Sequence, residues 1–312
     1  MSKRATREAF GSTLVQLAAE GMDVVAVEAD LSKSTTTATF ADAYPERFFN
    51  AGIAEQNMIN VAAGLAVAGK VAFTGSFAVF ATGRAYDQVR NTVCYSELNV
   101  KLAPTHSGIT VGPDGGSHQM LEDIALMRVL PGMRVLVPAD YCAACEALRV
   151  AATTPGPFYI RLGRAAIPAV YDESFRFEVG RAYVVREGSD VTLAACGVMV
   201  ERALAAAELL AADGVSAEVI DVATIKPIDA DTIVASAGKT GGVVACEEHS
   251  IIGGLGSAVA EVLGEQAPVP FARVGVRDVF GTSGEPEELM AHFGLTAHHI
   301  AEAARGVLVR RS

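Results

Sequence analysis

Short β-branched runs alternate with longer alanine- and leucine-rich amphipathic runs along most of the chain. In its first half, strands are predicted at 22–30, 71–76, 99–106, 133–140 and 157–163, with helical patterns between them. Strand–helix alternation at this spacing implies a mostly parallel sheet covered by helices on both faces. The apolar character of the strands suits burial on both sides. The sequence therefore predicts an α/β fold.

A break in this alternation divides the chain. The stretch "AAIPAVYDESFRFEVGRAYVVREG" has no helical period and holds charges and turn residues, and a second, smaller alternation follows it. We therefore predict two domains, at 1–168 and 186–312, joined by a linker at 169–185. Each domain is expected to be a mostly parallel β-sheet covered by helices.

The charge and the hydropathy of the chain argue against a nucleic acid or a membrane as its partner. The net charge of −11 argues against a general basic surface for nucleic acid. The apolar runs are far shorter than the roughly 20 residues of a membrane span, and "MSKRATREAF" lacks the apolar core of a signal peptide. Five scattered cysteines fit a reducing compartment. We expect a cytoplasmic protein that handles small molecules, without a nucleic-acid or membrane partner.

Two motifs look like known binding sites, one for a dinucleotide and one for a metal, but neither is complete. The segment "EEHSIIGGLGS" lacks the full glycine pattern of a dinucleotide loop and is predicted to be a tight turn that opens a helix. Cys142 and Cys145 form a C-x-x-C within an alanine-rich helical pattern, without a second pair of ligands. We predict buried helix cysteines and no metal site in this chain.

The segments that follow strands are the places to search for chemistry, because ligands of open α/β sheets bind at the carboxyl ends of strands. Phe77 and Phe80 stand three residues apart beside a tight turn after one strand. His106, Asp114 and His118 occupy a glycine-rich loop after the next strand. These residue types predict a polar, histidine-bearing pocket with aromatic walls.

Taken together, the segments resemble a known enzyme family. The matching pieces are "ADLSKS", "GIAEQNM", "SFAVF", "RAYDQVR", "THSGITVGPDGGSHQ", "YIRLGR", "TIKPID" and "EEHSIIGGLG". They fall in order from residue 29 to 256 and resemble the C-terminal half of transketolase. The resemblance implies the pyrimidine-binding domain and the C-terminal domain of a thiamine diphosphate enzyme.

This resemblance gives a meaning to the carboxylate in "AGIAEQNM". In the family the glutamate of this motif hydrogen-bonds N1′ of the cofactor's aminopyrimidine, whose imino tautomer then deprotonates the thiazolium C2. By resemblance Glu55 has that role, and Phe77 and Phe80 form the aromatic wall against which the pyrimidine packs. Gly83 stands where some relatives carry a third aromatic residue.

The resemblance also implies a set of substrate-facing residues. His106 and His118 match histidines that hold sugar hydroxyls and help to move protons, and Asp114 matches an aspartate that contacts a hydroxyl. Ser34 and Arg161 match residues that bind the sugar phosphate, for which the planar fork of an arginine is well suited. Arg84 and Arg90 are expected to be structural or interface residues, and Asp30 is expected to support the cofactor region or the interface.

The motif with which transketolases hold Mg²⁺ and the cofactor's diphosphate is missing from this sequence. The resemblance therefore implies a split transketolase. A separate diphosphate-binding subunit would hold Mg²⁺ and the diphosphate, and the working form would be α2β2. Its activity would be transfer of a two-carbon ketol unit from a ketose phosphate to an aldose acceptor.

Three alternatives stay open at this point. 1-Deoxyxylulose-5-phosphate synthase shares several motifs, but it usually lacks a histidine where His106 stands. The β subunit of a 2-oxoacid dehydrogenase E1 component is split in the same way, but its motif typically reads "EQG". A non-catalytic scaffold would have no need for Glu55, His106, Asp114 and His118 together.

Overall fold

The computed structural model describes residues 3–311, which form fourteen strands and eleven α-helices. The strands are β1 Arg4–Ala5, β2 Val24–Glu28, β3 Phe48–Asn50, β4 Val71–Gly75, β5 Val100–Leu102, β6 Arg134–Leu136, β7 Phe158–Ile160, β8 Ala166–Ile167, β9 Tyr183–Arg186, β10 Val191–Ala195, β11 Ala217–Asp221, β12 Thr224–Lys226, β13 Val243–Ser250 and β14 Phe271–Val276. The helices are α1 Glu8–Ala19, α2 Ser32–Thr35, α3 Ala38–Ala43, α4 Glu55–Val67, α5 Asp123–Arg128, α6 Tyr141–Thr153, α7 Met199–Ala212, α8 Ala230–Thr240, α9 Leu255–Gln266, α10 Pro286–His292 and α11 Ala297–Arg311.

The two large sheets confirm the predicted α/β class. The first has seven strands in the order β12-β6-β7-β5-β4-β2-β3, and all its neighbours except β12 and β6 run parallel. The second has five strands in the order β14-β13-β10-β11-β9, parallel except at β9. β9 begins at Tyr183, inside the stretch that the sequence predicts to be a linker.

One strand of the first sheet comes from the second half of the chain. The apolar segment "VSAEVIDVATI" forms two strands in different sheets: β11 lies in the second sheet and β12 pairs antiparallel with β6. Between them, Val222 N donates to Ala195 O and Val137 N donates to Ala223 O. The two sheets are therefore joined by a continuous crossing of the backbone.

Helices cover both faces of the first sheet. On one face Phe10 and Leu14 of α1 pack with Phe73 and Phe158, and on the other Met58 of α4 packs among valines of β2. Full burial of each such side chain stabilises the fold by about 1.5–3 kcal/mol. This packing fixes the carboxyl edge of the sheet, where the candidate site residues lie.

The segment between the predicted strands at 71–76 and 99–106 has a helical pattern in the sequence, but it is not a regular α-helix in the structure. Val79–Arg84 and Gln88–Cys94 are π-helical. π-Helical turns are rare in proteins as a whole, and those that occur are often found at functional sites. Here the segment brings the guanidinium of Arg84 to 4.5 Å from the ring centre of Phe80.

None of the helices within residues 3–311 combines the length and the apolar character that a bilayer crossing requires.

Candidate active site

Glu55 is the first residue of α4 and its side chain is buried, with 2% of its surface exposed. Gly52, at φ +72°, turns the chain into this helix after β3. Both carboxylate oxygens of Glu55 accept from Nη1 of Arg84 at 2.9 Å, and the Arg84 side chain is 49% exposed. A buried carboxylate is costly unless it is paired, so Arg84 stabilises Glu55 at this edge of the protein.

Two phenylalanines and two histidines form one aromatic cluster beside Glu55. Phe77 and Phe80 stack with ring centres 6.0 Å apart and 12° between their planes. The His106 ring stacks on Phe77 at 3.8 Å, while His118 meets Phe80 edge-on at 5.5 Å. The predicted aromatic wall and the two predicted histidines are therefore brought together.

His106 is a buried histidine with a defined set of partners. Its Nε2 lies 3.5 Å from Nη1 of Arg7, and its Nδ1 lies 2.7 Å from Thr105 Oγ1. Because a guanidinium can only donate, we assign the ring proton to Nδ1, which donates to Thr105. Burial, with the positive charges of Arg7 and Arg164, lowers the pKa of His106 to about 3. The imidazole is therefore neutral near pH 7, and the lone pair on Nε2 faces the guanidinium of Arg7.

Asp114 and His118 lie on the loop between β5 and α5, which bends at glycines with positive φ. His118 is half-buried, and its Nδ1 is 2.9 Å from Ser117 Oγ. Asp114 is exposed at the end of the short 3-10 segment Ile109–Asp114. His118 thus contacts the aromatic cluster, whereas Asp114 faces outward from the same loop.

Two arginines that the sequence analysis did not single out lie next to Ser34 and His106. Arg7 Nη1 donates to Ser34 O at 2.9 Å, and Arg164 Nη1 donates to Val111 O. Burial and the charge of Arg164 lower the pKa of Arg7. Among the described residues neither arginine forms an ion pair with a carboxylate within 4 Å. Two guanidiniums that repel each other electrostatically and lack a carboxylate partner form an arrangement suited to a phosphate.

Arg161 requires a correction. Its guanidinium is buried and donates to Asp123 at 2.7 and 3.2 Å and to the carbonyl oxygens of Met120 and Glu248. Burial raises the pKa of Asp123, but the charges of Arg161 and His249 and the hydrogen bonds from Arg161 and Tyr159 together hold it below its usual range. Nε and Nη2 are thus occupied inside the protein, and Nη1 lies 4.0 Å from the Glu248 carboxylate, an arrangement that disfavours the predicted phosphate contact. Arg164, three residues further along in "YIRLGR", acts with Arg7 on His106, since the charges of both arginines lower the pKa of its imidazole.

The C-terminal half of the chain holds the histidine loop in place. Gln119 Nε2 donates to Thr282 O at 2.8 Å, and also to two carbonyls within the loop. The carboxylate of Glu248 accepts from Thr110 N at 2.7 Å. A side chain on Gly108 would overlap that carboxylate, so the loop and β13 are in close contact.

In the segment "EEHSIIGGLGS", the first four residues end β13, and the turn at 251–254 opens α9, as predicted. Glu247 accepts from the backbone N–H groups of Leu255 and Gly256 at 2.7 and 2.8 Å. The anion at this helix N-terminus is thus a carboxylate of the chain itself. Within residues 3–311, no group of three or more His, Cys, Asp or Glu side chains is arranged to hold a metal ion.

Both halves of the chain match known protein families. Residues 2–169 match the family model described as "Transketolase, pyrimidine binding domain", and residues 180–300 match "Transketolase, C-terminal domain". The fold and the site thus define a two-domain α/β protein of the pyrimidine-binding class. The chain belongs to the transketolase family.

Individual relatives are similar over nearly their whole length. A 6-deoxy-6-sulfo-D-fructose transketolase subunit of Clostridium sp. is 45% identical, with 98% of this chain and 95% of the relative covered. An apulose-4-phosphate transketolase subunit of Phocaeicola vulgatus is 38% identical, with 96% of each chain covered. A solved split-gene transketolase, described as an inactive beta4 tetramer, is 52% identical with a TM-score of 0.92, over 99% of this chain and all of the other.

Proposed function

We propose that this chain is the C-terminal subunit of a two-subunit transketolase. It would transfer a two-carbon ketol unit from a ketose phosphate to an aldose acceptor, together with a separate diphosphate-binding subunit. The observation that carries the proposal is the grouping of Glu55, the Phe77–Phe80 pair and His106 along one edge of the first sheet. This group offers a carboxylate, flat aromatic surfaces and a neutral base in one place.

The residues present fit the aminopyrimidine part of thiamine diphosphate. Glu55 would hold the pyrimidine through its carboxylate, and Phe77 and Phe80 would pack against the ring, a contact worth about 0.5–1.5 kcal/mol beyond area burial. Arg84 contacts both Glu55 and Phe80, and its half-exposed side chain is able to turn outward. When bound, the cofactor supplies a carbon nucleophile and an electron sink for carbon–carbon bond exchange.

The rest of the cleft suits a sugar phosphate. His106 Nε2 would accept a hydrogen bond from a sugar hydroxyl in place of its 3.5 Å contact with Arg7, because the ring is neutral and its Nδ1 proton is donated to Thr105. His118 and Asp114, on the same loop, would contact further hydroxyls. Arg7, Arg164 and Ser34 would bind the phosphate, with Arg164 in the place that the sequence analysis gave to Arg161.

The proposed partner holds Mg²⁺ and the diphosphate. The names of two relatives call them transketolase subunits, and a third relative is described as a split-gene transketolase in the form of an inactive beta4 tetramer. Large apolar side chains are exposed in this half of the chain: Ile53, two residues before Glu55, is 79% exposed, and Tyr95, directly after the π-helical segment, is 87% exposed. Such side chains mark candidate contact surfaces, and we propose that they are covered in an α2β2 assembly.

Reconstitution tests this function. The chain is mixed with a candidate diphosphate-binding subunit, thiamine diphosphate and Mg²⁺, and two-carbon transfer from xylulose 5-phosphate to ribose 5-phosphate is followed by mass spectrometry. Activity in the mixture, and in neither subunit alone, is the expected result. Turnover by the isolated chain would contradict the split site. A verified complex that reacts with pyruvate and not with ketose phosphates would favour a synthase or a 2-oxoacid dehydrogenase component.

A further inference from the structure

A buried carboxyl group lies directly beneath the turn that carries Ser34. Glu28, the last residue of β2, is fully buried. One of its oxygens accepts from the hydroxyls of Thr35 and, at 2.8 Å, Thr37, and the other accepts from Ala29 N at 3.1 Å. These contacts attach the turn to the end of a central strand.

The same turn is held from its other side by Arg7. Thr36 Oγ1 donates to Arg7 O at 2.7 Å, and Arg7 Nη1 donates to Ser34 O at 2.9 Å. The three consecutive threonines thus divide their contacts: Thr35 and Thr37 bond Glu28, and Thr36 bonds the backbone of Arg7. The turn and the arginine fix each other's position.

The backbone geometry agrees with a turn held from both sides. Asp30 and Thr36 have φ values of +64° and +70°, a conformation that non-glycine residues keep only where the surroundings enforce it. A side chain on Gly75 would overlap the Glu28 carboxyl, and one on Gly11 would overlap Thr36 O. The turn therefore fits tightly between α1 and β4.

We propose that Glu28, through Thr35 and Thr37, positions Ser34 and Arg7 for the substrate phosphate. This inference rests on the proposed function. The hydrogen bonds of Glu28 to Thr35 and Thr37 are expected to govern the affinity for phosphorylated substrates and to leave the chemistry at the cofactor unchanged. Glu28 is a positioning residue, since it is buried beneath the turn and acts only through the two hydroxyls.

The test removes the hydroxyl groups of Thr35 and Thr37 and compares two aldose acceptor substrates, one with a phosphate and one without, in the reconstituted complex. Thr35→Val and Thr37→Val each remove one hydrogen bond to Glu28 at nearly constant volume. Each is expected to raise KM for ribose 5-phosphate about 3- to 10-fold with kcat nearly unchanged, since one hydrogen bond contributes about that factor. KM for glycolaldehyde, which has no phosphate, should stay constant. Thr74→Val is the matched control, because its buried hydroxyl lacks a partner among the described residues.

Variants of Glu28 separate positioning from folding. Glu28→Gln keeps an acceptor oxygen for the two hydroxyls and should retain most of the affinity, whereas Glu28→Ala should lose it. Equal KM changes for both acceptors, or none for ribose 5-phosphate, would overturn the proposal.

A binding measurement keeps this inference distinct from the proposed function. Inorganic phosphate is titrated into the isolated full chain by calorimetry, which requires no turnover. Weaker phosphate binding by Thr35→Val and Thr37→Val, but not by Thr74→Val, supports the inference even if no transfer activity is found. Equal binding by all variants, or no binding by the wild type, overturns it.

Discussion

At the scale of single residues, the pairing of Glu55 with Arg84 leads to a matched experiment. Glu55→Gln removes the charge and the strong acceptor that the proposed chemistry needs, so two-carbon transfer in the reconstituted complex should fall at least about 100-fold. Glu218→Gln is the control, because Glu218 is equally buried and paired with half-exposed Lys239, but lies in β11 of the second sheet. Retention of more than a tenth of the activity by Glu55→Gln would contradict the proposed role.

The two arginines of "YIRLGR" should respond differently to the same change. Arg164→Met removes a cation from the proposed phosphate site and should raise KM for ribose 5-phosphate about 10- to 100-fold, because a hydrogen bond to a charged group contributes about 1.5–3 kcal/mol. Arg161→Met leaves Asp123 buried without its partner and should lower the free energy of unfolding by about 3–5 kcal/mol. Steady-state kinetics and urea unfolding on both variants check this pair. A stable Arg161→Met with a selective phosphate defect would restore the original assignment.

Glu28 predicts a pH dependence of stability. Burial raises its pKa from 4.5 to about 7, so between these values the folded chain holds a proton that the unfolded chain releases. The free energy of unfolding therefore falls as pH rises through this window, and the contribution of Glu28 is constant above it. Burial also raises the pKa of Asp221, to about 8. Its effect on the free energy of unfolding therefore has the same sign as that of Glu28. In the Glu28→Gln variant the free energy of unfolding, measured with urea between pH 5 and 7.5, should fall less steeply with pH than in the wild type. An unchanged dependence on pH would contradict this.

At the scale of elements, the loop between β14 and α10 supports the histidine loop. Gly281 lies against Gln119, and an added Cβ would overlap its amide oxygen. Gly281→Ala should therefore displace the loop and lower activity, with faster hydrogen exchange at residues 108–119. Gly264→Ala is the control: it lies in α9 with open space around it and should stabilise the helix by about 0.5–1 kcal/mol. Equal exchange in the two variants would show that Gly281 has no such role.

Local sequence patterns predicted most of the strands and helices. The predictions failed where contacts between residues far apart in the sequence determine the backbone conformation or the burial of a side chain. The apolar periods of β2, β4 and α4 are visible in the sequence because each element buries its own residues. The π-helical turns around Arg84 have no local signature that differs from an α-helix. Arg7 and Arg164 are 157 positions apart, and only the folded sheet brings both to His106. Arg161 and Arg164 are the same residue type in one motif, and their different burial depends on Asp123.

At the scale of the whole molecule, the two halves should unfold together. β12 extends the first sheet, and Lys226 Nζ donates to the carbonyl oxygens of Arg128 and Leu130 at 2.9 and 2.5 Å. Arg161 adds a buried ion pair whose guanidinium also donates to the second half at Glu248 O. Calorimetry should therefore record one transition, with global hydrogen-exchange protection in both β4 and β10. Two well-separated transitions would show that the halves are independent.

The backbone crossing at β12 also bears on how such proteins are divided among genes. A recombination point between β9 and β12 would leave one product with a sheet that lacks its outer strand and the other with an unpaired strand, so neither could be inherited alone. Evolution can exchange or separate domains only where no strand is shared. The two sheets of this chain are therefore expected to form one evolutionary module, even in relatives whose remaining domains are rearranged.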